Sequence, residues 1–231
     1  MMIPETAPMT PLVEVMRDRT LAATPHRRPN AVDDRAKHHE ELSMSEGQVL
    51  KREPIYQGRV IEIALETVEL PNGDQVELEI VHHPGGAAAV ALDDQDRVCL
   101  LRQFRHASQG WLWELPAGRI DPGESPFDTV SRELLEEAGL LAADWTELGL
   151  MHSSPGIFTE VIHLWLARGL TTQPLAHEHG EVIEVHWLPL GQALDWCHDG
   201  TITDSKTLIG LYRAGALIKS AVDMLAEDPG C

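Results

Sequence analysis

The sequence predicts an α/β fold in which helices flank a mixed β-sheet. Three observations predict it. Short apolar runs with strand-like patterning, separated by turn signals, fill much of Val49 to Phe104 and recur between Ile162 and Leu188. Three stretches of helical periodicity stand at about 126–138, 190–198 and 205–226. Strands and helices do not alternate regularly, which sets aside a doubly wound parallel sheet.

Residues 1–45 are rich in Pro, Arg, Asp, Glu and His and carry little periodicity, so a disordered extension is expected there, followed by one domain over 46–231. The first strands are antiparallel. Val60, Ile61, Ile63, Leu65, Val68 and Leu70 run into Asn72-Gly73, a hairpin signal, and return through Val76, Leu78, Ile80 and Val81. After the Pro84-Gly85-Gly86 break, Ala87–Leu92 and Val98–Phe104 flank Asp93-Asp94-Gln95-Asp96 and are expected to form a second hairpin. Later strands are expected at Ile162–Ala167 and Val182–Leu188, and Gly139 and Gly200 stand where helices should end.

The chain has 231 residues with 37 acids against 18 bases, a formal charge of −19. Such a chain repels polyanions, so nucleic acid is not an expected partner. A small phosphorylated ligand is compatible, because bound cations can reverse the local field. Three cysteines without metal-type spacing argue against a disulfide framework and a zinc site. No apolar run reaches the roughly 18 residues of a membrane span, and the N-terminus does not read as a signal or transit peptide. A cytoplasmic protein without membrane association is expected.

The helix at 126–138 carries the chemistry. Ser125 is a good N-cap, Pro126 suits the first turn, and Asp128 completes a capping box. Phe127, Val130, Leu134 and Ala138 are expected to form its buried stripe. Glu133, Glu136 and Glu137 share one arc at helical spacing. Like charges so placed repel by a few tenths of a kcal/mol per pair, and no Lys or Arg follows them until Arg168. Alone, the three fit either a solvated acidic face or a site for a hard divalent cation such as Mg²⁺ or Mn²⁺.

The wider spacing favours the second. From Gly118 to Leu140 the chain fits Gly-x5-Glu-x7-Arg-Glu-Leu-x-Glu-Glu-x-Gly-Leu without a mismatch. This pattern resembles the Nudix box, with Gly118, Glu124, Arg132, Glu133, Glu136, Glu137 and Gly139 at its fixed positions. The resemblance implies the Nudix fold, an α/β/α sandwich around a mixed sheet, and metal-assisted attack of water on a diphosphate. It implies that Glu133, Glu136, Glu137 and the carbonyl of Ala117 bind metal, and that Arg132 pairs with Glu124 to hold loop and helix together.

The flanks resemble the ADP-ribose pyrophosphatase branch: Gln103-Phe104-Arg105, Trp113-Glu114-Leu115-Pro116-Ala117-Gly118, Ser153-Ser154-Pro155-Gly156 with Glu160, and Asp204-x-Lys206-Thr207. The resemblance implies that Arg105 meets a phosphate or the distal ribose and Ser154 the sugar side, with Glu160 also on the substrate. Relatives often have a Glu-x-Glu pair in the late loop; here His179-Gly180-Glu181 stands there, beside Glu178. Glu181 keeps the metal-touching place, and His179 or Glu178 would serve as base. Of the aromatics that sandwich adenine in some relatives, Tyr56 alone is available on the first strands, with Phe104, Trp111 and Trp113 near in sequence. The expected activity is hydrolysis of ADP-ribose to AMP and ribose 5-phosphate. Hydrolysis of another nucleoside diphosphate sugar such as GDP-mannose, and non-catalytic sensing of such a ligand, stand behind it. A homodimer with exchanged N-terminal strands is the usual assembly of the branch.

Overall fold

A computed structural model describes residues 47–175 and 182–227. Among the described residues ten strands and three α-helices follow in order: β1 (Gln48–Gln57), β2 (Glu62–Glu69), β3 (Gln75–His82), β4 (Gly86–Ala91), β5 (Arg97–Arg105), β6 (Gly110–Glu114), β7 (Ala117–Arg119), α1 (Pro126–Ala138), β8 (Leu140–His152), β9 (Val161–Thr172), β10 (Ile183–Pro189), α2 (Leu190–Asp199) and α3 (Ser205–Glu227).

They form three sheets, ordered β1-β2-β3, β10-β5-β6 and β7-β4-β9-β8. The last is mixed, because β4 runs parallel to β9 while β7 and β8 run antiparallel to their neighbours. Every residue of β4 is buried, since both its faces are covered. Ala88 and Val90 belong to a core shared with Leu211 and Ala214 of α3 and Ala193 of α2. Ala87, Ala89 and Ala91 belong to a core shared with Val130, Leu134 and Ala138 of α1. Alternation along one strand thus separates two helical layers, which is the expected α/β/α sandwich. Val130 and Leu134 are fully buried, worth roughly 1.5–3 kcal/mol each.

The structure departs from the sequence expectations at three points, two of them corrections and one a strand that was not expected. Asp93–Asp96 does make a turn, with Asp96 N–H bonded to the Asp93 carbonyl. Yet β4 and β5 pair only through an isolated bridge, Leu92 to Val98, and then enter different sheets. The turn therefore joins sheets rather than forming a hairpin. Second, β8, thirteen residues long, has no clear alternation in the sequence; a register shift between Glu147 and Gly149 interrupts its pattern. Third, Phe127 is not in the buried stripe of α1. It is exposed at the start of the helix, edge-on to Trp145 and Trp165, while Glu137 is buried in its place.

The first hairpin is as expected. Gly73 takes φ +86°, the left-handed conformation that the turn requires, and Asn72 Oδ1 accepts from Asp74 N–H. Among the described residues no helix is long and apolar enough to cross a membrane.

Candidate active site

The site forms where the loop after β6 meets α1. Ser125 caps α1, its hydroxyl accepting from Asp128 N–H and donating to the Asp128 carboxylate. Gly139 ends the helix with φ +63°, and its N–H reaches the carbonyls of Leu134 and Leu135. The helix is therefore fixed at both ends, and its glutamates are fixed with it.

Arg132 is the hub. Its Nε and Nη2 each donate to Glu124, both at 2.9 Å. Nη1 donates to Glu133 at 2.7 Å and to Glu136 at 3.0 Å. The expected Arg132–Glu124 pair is present, and the same guanidinium also offsets part of the charge on two of the three helix glutamates. Hydrogen bonds from Arg132 are the main cause that draws the Glu124 carboxyl down to about 2, against a smaller opposing effect of burial.

Glu137 is 3% exposed. Its Oε2 accepts the N–H of Ala117 at 2.8 Å, tying the helix to β7. Glu133 lies directly on Gly118. A Cβ added there would meet Glu133 Oε1 at 1.8 Å, so the box needs glycine for close approach.

A cleft of about 670 Å³ opens here. Ala117, Gly118, Arg132, Glu133, Glu136 and Glu137 line it, together with Arg105, Glu160, His83, Ser153, Asp204 and Lys206. The structure thus brings Arg105 and Glu160 together with the acidic arc. Ser154 is exposed and does not line the cleft; its carbonyl accepts from Ile157 and Phe158, and its neighbour Ser153 lines the wall instead. Glu178, His179 and Glu181 lie outside the described residues. Tyr56, Phe104, Trp111 and Trp113 do not line the cleft; Trp113 packs on Trp196 and His186, and Trp111 on Phe104.

Sequence reasoning gave no role to a buried ion network beside Arg105. Glu114, at the end of β6, accepts from Arg105 Nε and Nη2 and from Lys206 Nζ. Lys206 also pairs with Asp204 at 3.1 Å. Asp204 accepts from the N–H and hydroxyl of Thr207, whose hydroxyl accepts from Leu115 N–H. The Trp-Glu-Leu-Pro and Asp-x-Lys-Thr patterns marked both halves of this network, without showing that they meet. His83 was missed as well. Its Nδ1 accepts from Gly85 N–H at 3.1 Å and stands 3.2 Å from Glu160 Oε1.

Among the described residues no three Asp, Glu, His or Cys side chains close around a point on their own. The donor set still fits a hard divalent cation. Carboxylates of α1 and the carbonyl-bearing strand β7 face one cleft, and a cation such as Mg²⁺ keeps waters and takes phosphate oxygens for the remaining positions.

Comparison with known proteins agrees with this geometry. The NUDIX domain matches residues 82–208. The methanol dehydrogenase activator of Bacillus methanolicus is 36% identical over 168 residues, covering 72% of this chain and 91% of that protein. The ADP-ribose pyrophosphatase of Bacillus subtilis (strain 168) is 36% identical over 164 residues, covering 70% of this chain and 89% of that protein. A crystal structure of an ADP compounds hydrolase superposes with a TM-score of 0.67 at 23% identity, covering 78% of this chain and 97% of that one; this likeness is one of fold. With the matched domain spanning more than half its length, the chain belongs to the NUDIX domain family and is a hydrolase of that family, a group that generally depends on divalent metal.

Proposed function

We propose that this enzyme hydrolyses ADP-ribose to AMP and ribose 5-phosphate with Mg²⁺, Mn²⁺ being a possible substitute. The observation that carries the reading is the shared cleft: Glu133, Glu136 and Glu137 line it with Arg105. An acidic arc alone would repel a diphosphate. Divalent cations there reverse the field, stabilise charge on the phosphates and make the attacking water more acidic.

The chain's own residues then divide the work. Glu133, Glu136, Glu137 and the Ala117 carbonyl serve as metal ligands, joined by Glu181. Arg105 offers a permanent charge to phosphate, its plane set by Glu114. Arg132 and Glu124 keep the loop and α1 in register. His179 or Glu178 serves as base, on the strength of the sequence pattern.

Among the described residues no Phe, Tyr or Trp lines the cleft, so we keep a second reading for the substrate: another nucleoside diphosphate sugar such as GDP-mannose. We further propose a cytoplasmic homodimer. Buried free Cys99 and Cys197 suit a reducing compartment. All ten residues of edge strand β1 are exposed, including Val49, Leu50, Ile55 and Tyr56, and an apolar sheet edge of this kind calls for a partner.

The test is a substrate panel with Mg²⁺ and with Mn²⁺, ADP-ribose against GDP-mannose, UDP-glucose and NADH, compared by kcat/KM with products separated by chromatography. Preference for ADP-ribose with AMP as product supports the reading. Preference for another sugar nucleotide moves the base assignment, and no turnover of any of them overturns the catalytic reading.

A further inference from the structure

Two cations meet on one carboxylate oxygen beside the cleft. Glu114 Oε2 accepts from Arg105 Nη2 at 3.0 Å and from Lys206 Nζ. Arg105 ends β5 and Lys206 lies in the first turn of α3, so two elements far apart in the chain bring like charges to one point. Both residues line the cleft. The side chain of Lys206 is 12% exposed.

The fold accounts for Lys206 only in part. Its acids are Glu114 and Asp204, the latter at 3.1 Å. Asp204 Oδ2 also accepts from the N–H and the hydroxyl of Thr207, which caps the start of α3. An ammonium carries three N–H groups. At least one is therefore left over after the two acids, and among the described residues no third acceptor takes it. Water can serve it in the free enzyme. When a diphosphate occupies the cleft, a phosphate oxygen is the stronger partner for a mostly buried cation. It brings negative charge, and a phosphate has oxygens enough to take one N–H from each of two cationic heads held side by side.

We propose that Lys206 is a second phosphate-binding residue, whose ammonium grips the diphosphate of the substrate together with Arg105. This rests on the reading of the enzyme as a nucleoside diphosphate sugar hydrolase. Glu114 is then the spacer that keeps the two cations side by side against their repulsion, and Asp204 ties Lys206 to the start of α3. A Lys206 that served the fold alone would reach the ligand only by way of Glu114 and Arg105, and that difference is measurable.

The experiment is a double-mutant cycle on the full-length protein, with wild type, Lys206→Met, Glu114→Gln and the double variant. Inhibition constants are measured with Mg²⁺ for the nucleoside diphosphate of the sugar nucleotide that the wild type hydrolyses best (ADP on the reading above) and for the matching nucleoside, which lacks the phosphates. Lys206→Met should raise the diphosphate's constant about tenfold, the loss of one charge-assisted hydrogen bond, and leave the nucleoside's within about twofold. A step of the same size should separate Glu114→Gln from the double variant, because Lys206 meets the phosphate directly. An unchanged constant for the diphosphate overturns the proposal, as does an equal loss for the nucleoside. No further loss on the Glu114→Gln background also overturns it, since Lys206 would then act only through Glu114. Should Lys206→Met alone not fold, the comparison of Glu114→Gln with the double variant, which removes an acid and a base together, carries the test. Failure of the underlying reading looks different: the wild type itself would turn over no nucleoside diphosphate sugar, and the proposal would fall with it.

Discussion

Glu114 holds Arg105 at two points, accepting from Nε at 2.8 Å and from Nη2 at 3.0 Å. Only 2% of the acid is exposed. Burial on its own would raise its pKa. The hydrogen bonds from Arg105 and the charge of Lys206 outweigh burial, so the carboxyl stays below its usual range. Glu114 is thus ionised at neutral pH, and it fixes the plane of a guanidinium that lines the cleft.

Glu114→Gln should therefore damage both fold and function. Removing Glu114 from this network costs roughly 1–3 kcal/mol, less than a fully buried pair, because Arg105 is partly exposed and Lys206 keeps Asp204 as a partner. Urea unfolding should register a loss of that order. Arg105 should lose its orientation and kcat/KM should fall at least about tenfold. Wild-type stability in this variant would mean that Arg105 and Lys206 find other partners and that the network is dispensable.

Gly118→Ala tests close approach. The added methyl would lie 2.0 Å from Glu133 Cδ and 1.8 Å from Oε1. The obstructing atoms are the far end of a flexible side chain, so the fold can adjust by moving Glu133. Glu133 is proposed as a metal ligand, and a displacement of about 1 Å can cost on the order of 10²-fold in rate. The expected outcome is a melting temperature lowered by only a few degrees with turnover down roughly a hundredfold. Equal and modest losses in both would mean that Glu133 tolerates the shift and is not a ligand.

The acidic arc was legible because a helix converts spacing into direction. Once Ser125 and Gly139 bounded α1, the placing of Glu133, Glu136 and Glu137 on one arc followed from 3.6 residues per turn. Phe127 shows where that logic stops. It satisfies the helical period, but in the first turn it stays exposed, with only Trp145 of β8 and Trp165 of β9 meeting it edge-on among the rings. The sheet hides more. β8 was illegible because its register shift breaks the period of two, and the β4–β5 turn looked like a hairpin because local sequence does not say which sheet a strand joins. The network beside Arg105 was hidden by distance along the chain, Glu114 and Lys206 being 92 positions apart. His83 and Thr159 stand 76 apart. Contacts of that kind are set by topology, and no local pattern announces them.

Acid should weaken the protein through Glu124. Its folded pKa of about 2 lies below the ordinary 4.5, chiefly because of hydrogen bonds from Arg132. Ionised Glu124 therefore stabilises the fold fully above pH 4.5, and that contribution fades as pH falls through 2. Glu124→Gln lacks it at every pH. Unfolding free energies of the two proteins, measured from pH 7 downwards, should differ at neutral pH and converge between about 4.5 and 2. A constant gap across that range would remove Arg132–Glu124 as a source of acid sensitivity.

Glu137→Gln separates the metal role from the structural one. The Gln side chain keeps an oxygen that can accept the Ala117 N–H now bonded to Glu137 Oε2, so the link between α1 and β7 should survive. Cys99 provides a control for the fold. Its thiol is pushed up to about 12, first by burial and then by the nearby charge of Glu137. Removing the charge leaves burial in place, so Cys99 should stay unreactive to a maleimide in the folded variant. On the proposed role, what the variant loses is a negative ligand for a hard cation. Mn²⁺ affinity should fall, and kcat should drop by roughly a hundredfold or more, since about 3 kcal/mol of charge stabilisation amounts to that factor. Weakened Mn²⁺ binding, lost turnover and a protected Cys99 together would assign Glu137 to the metal. Near-normal turnover would remove it from the catalytic set and leave it as the residue that fastens α1 to β7.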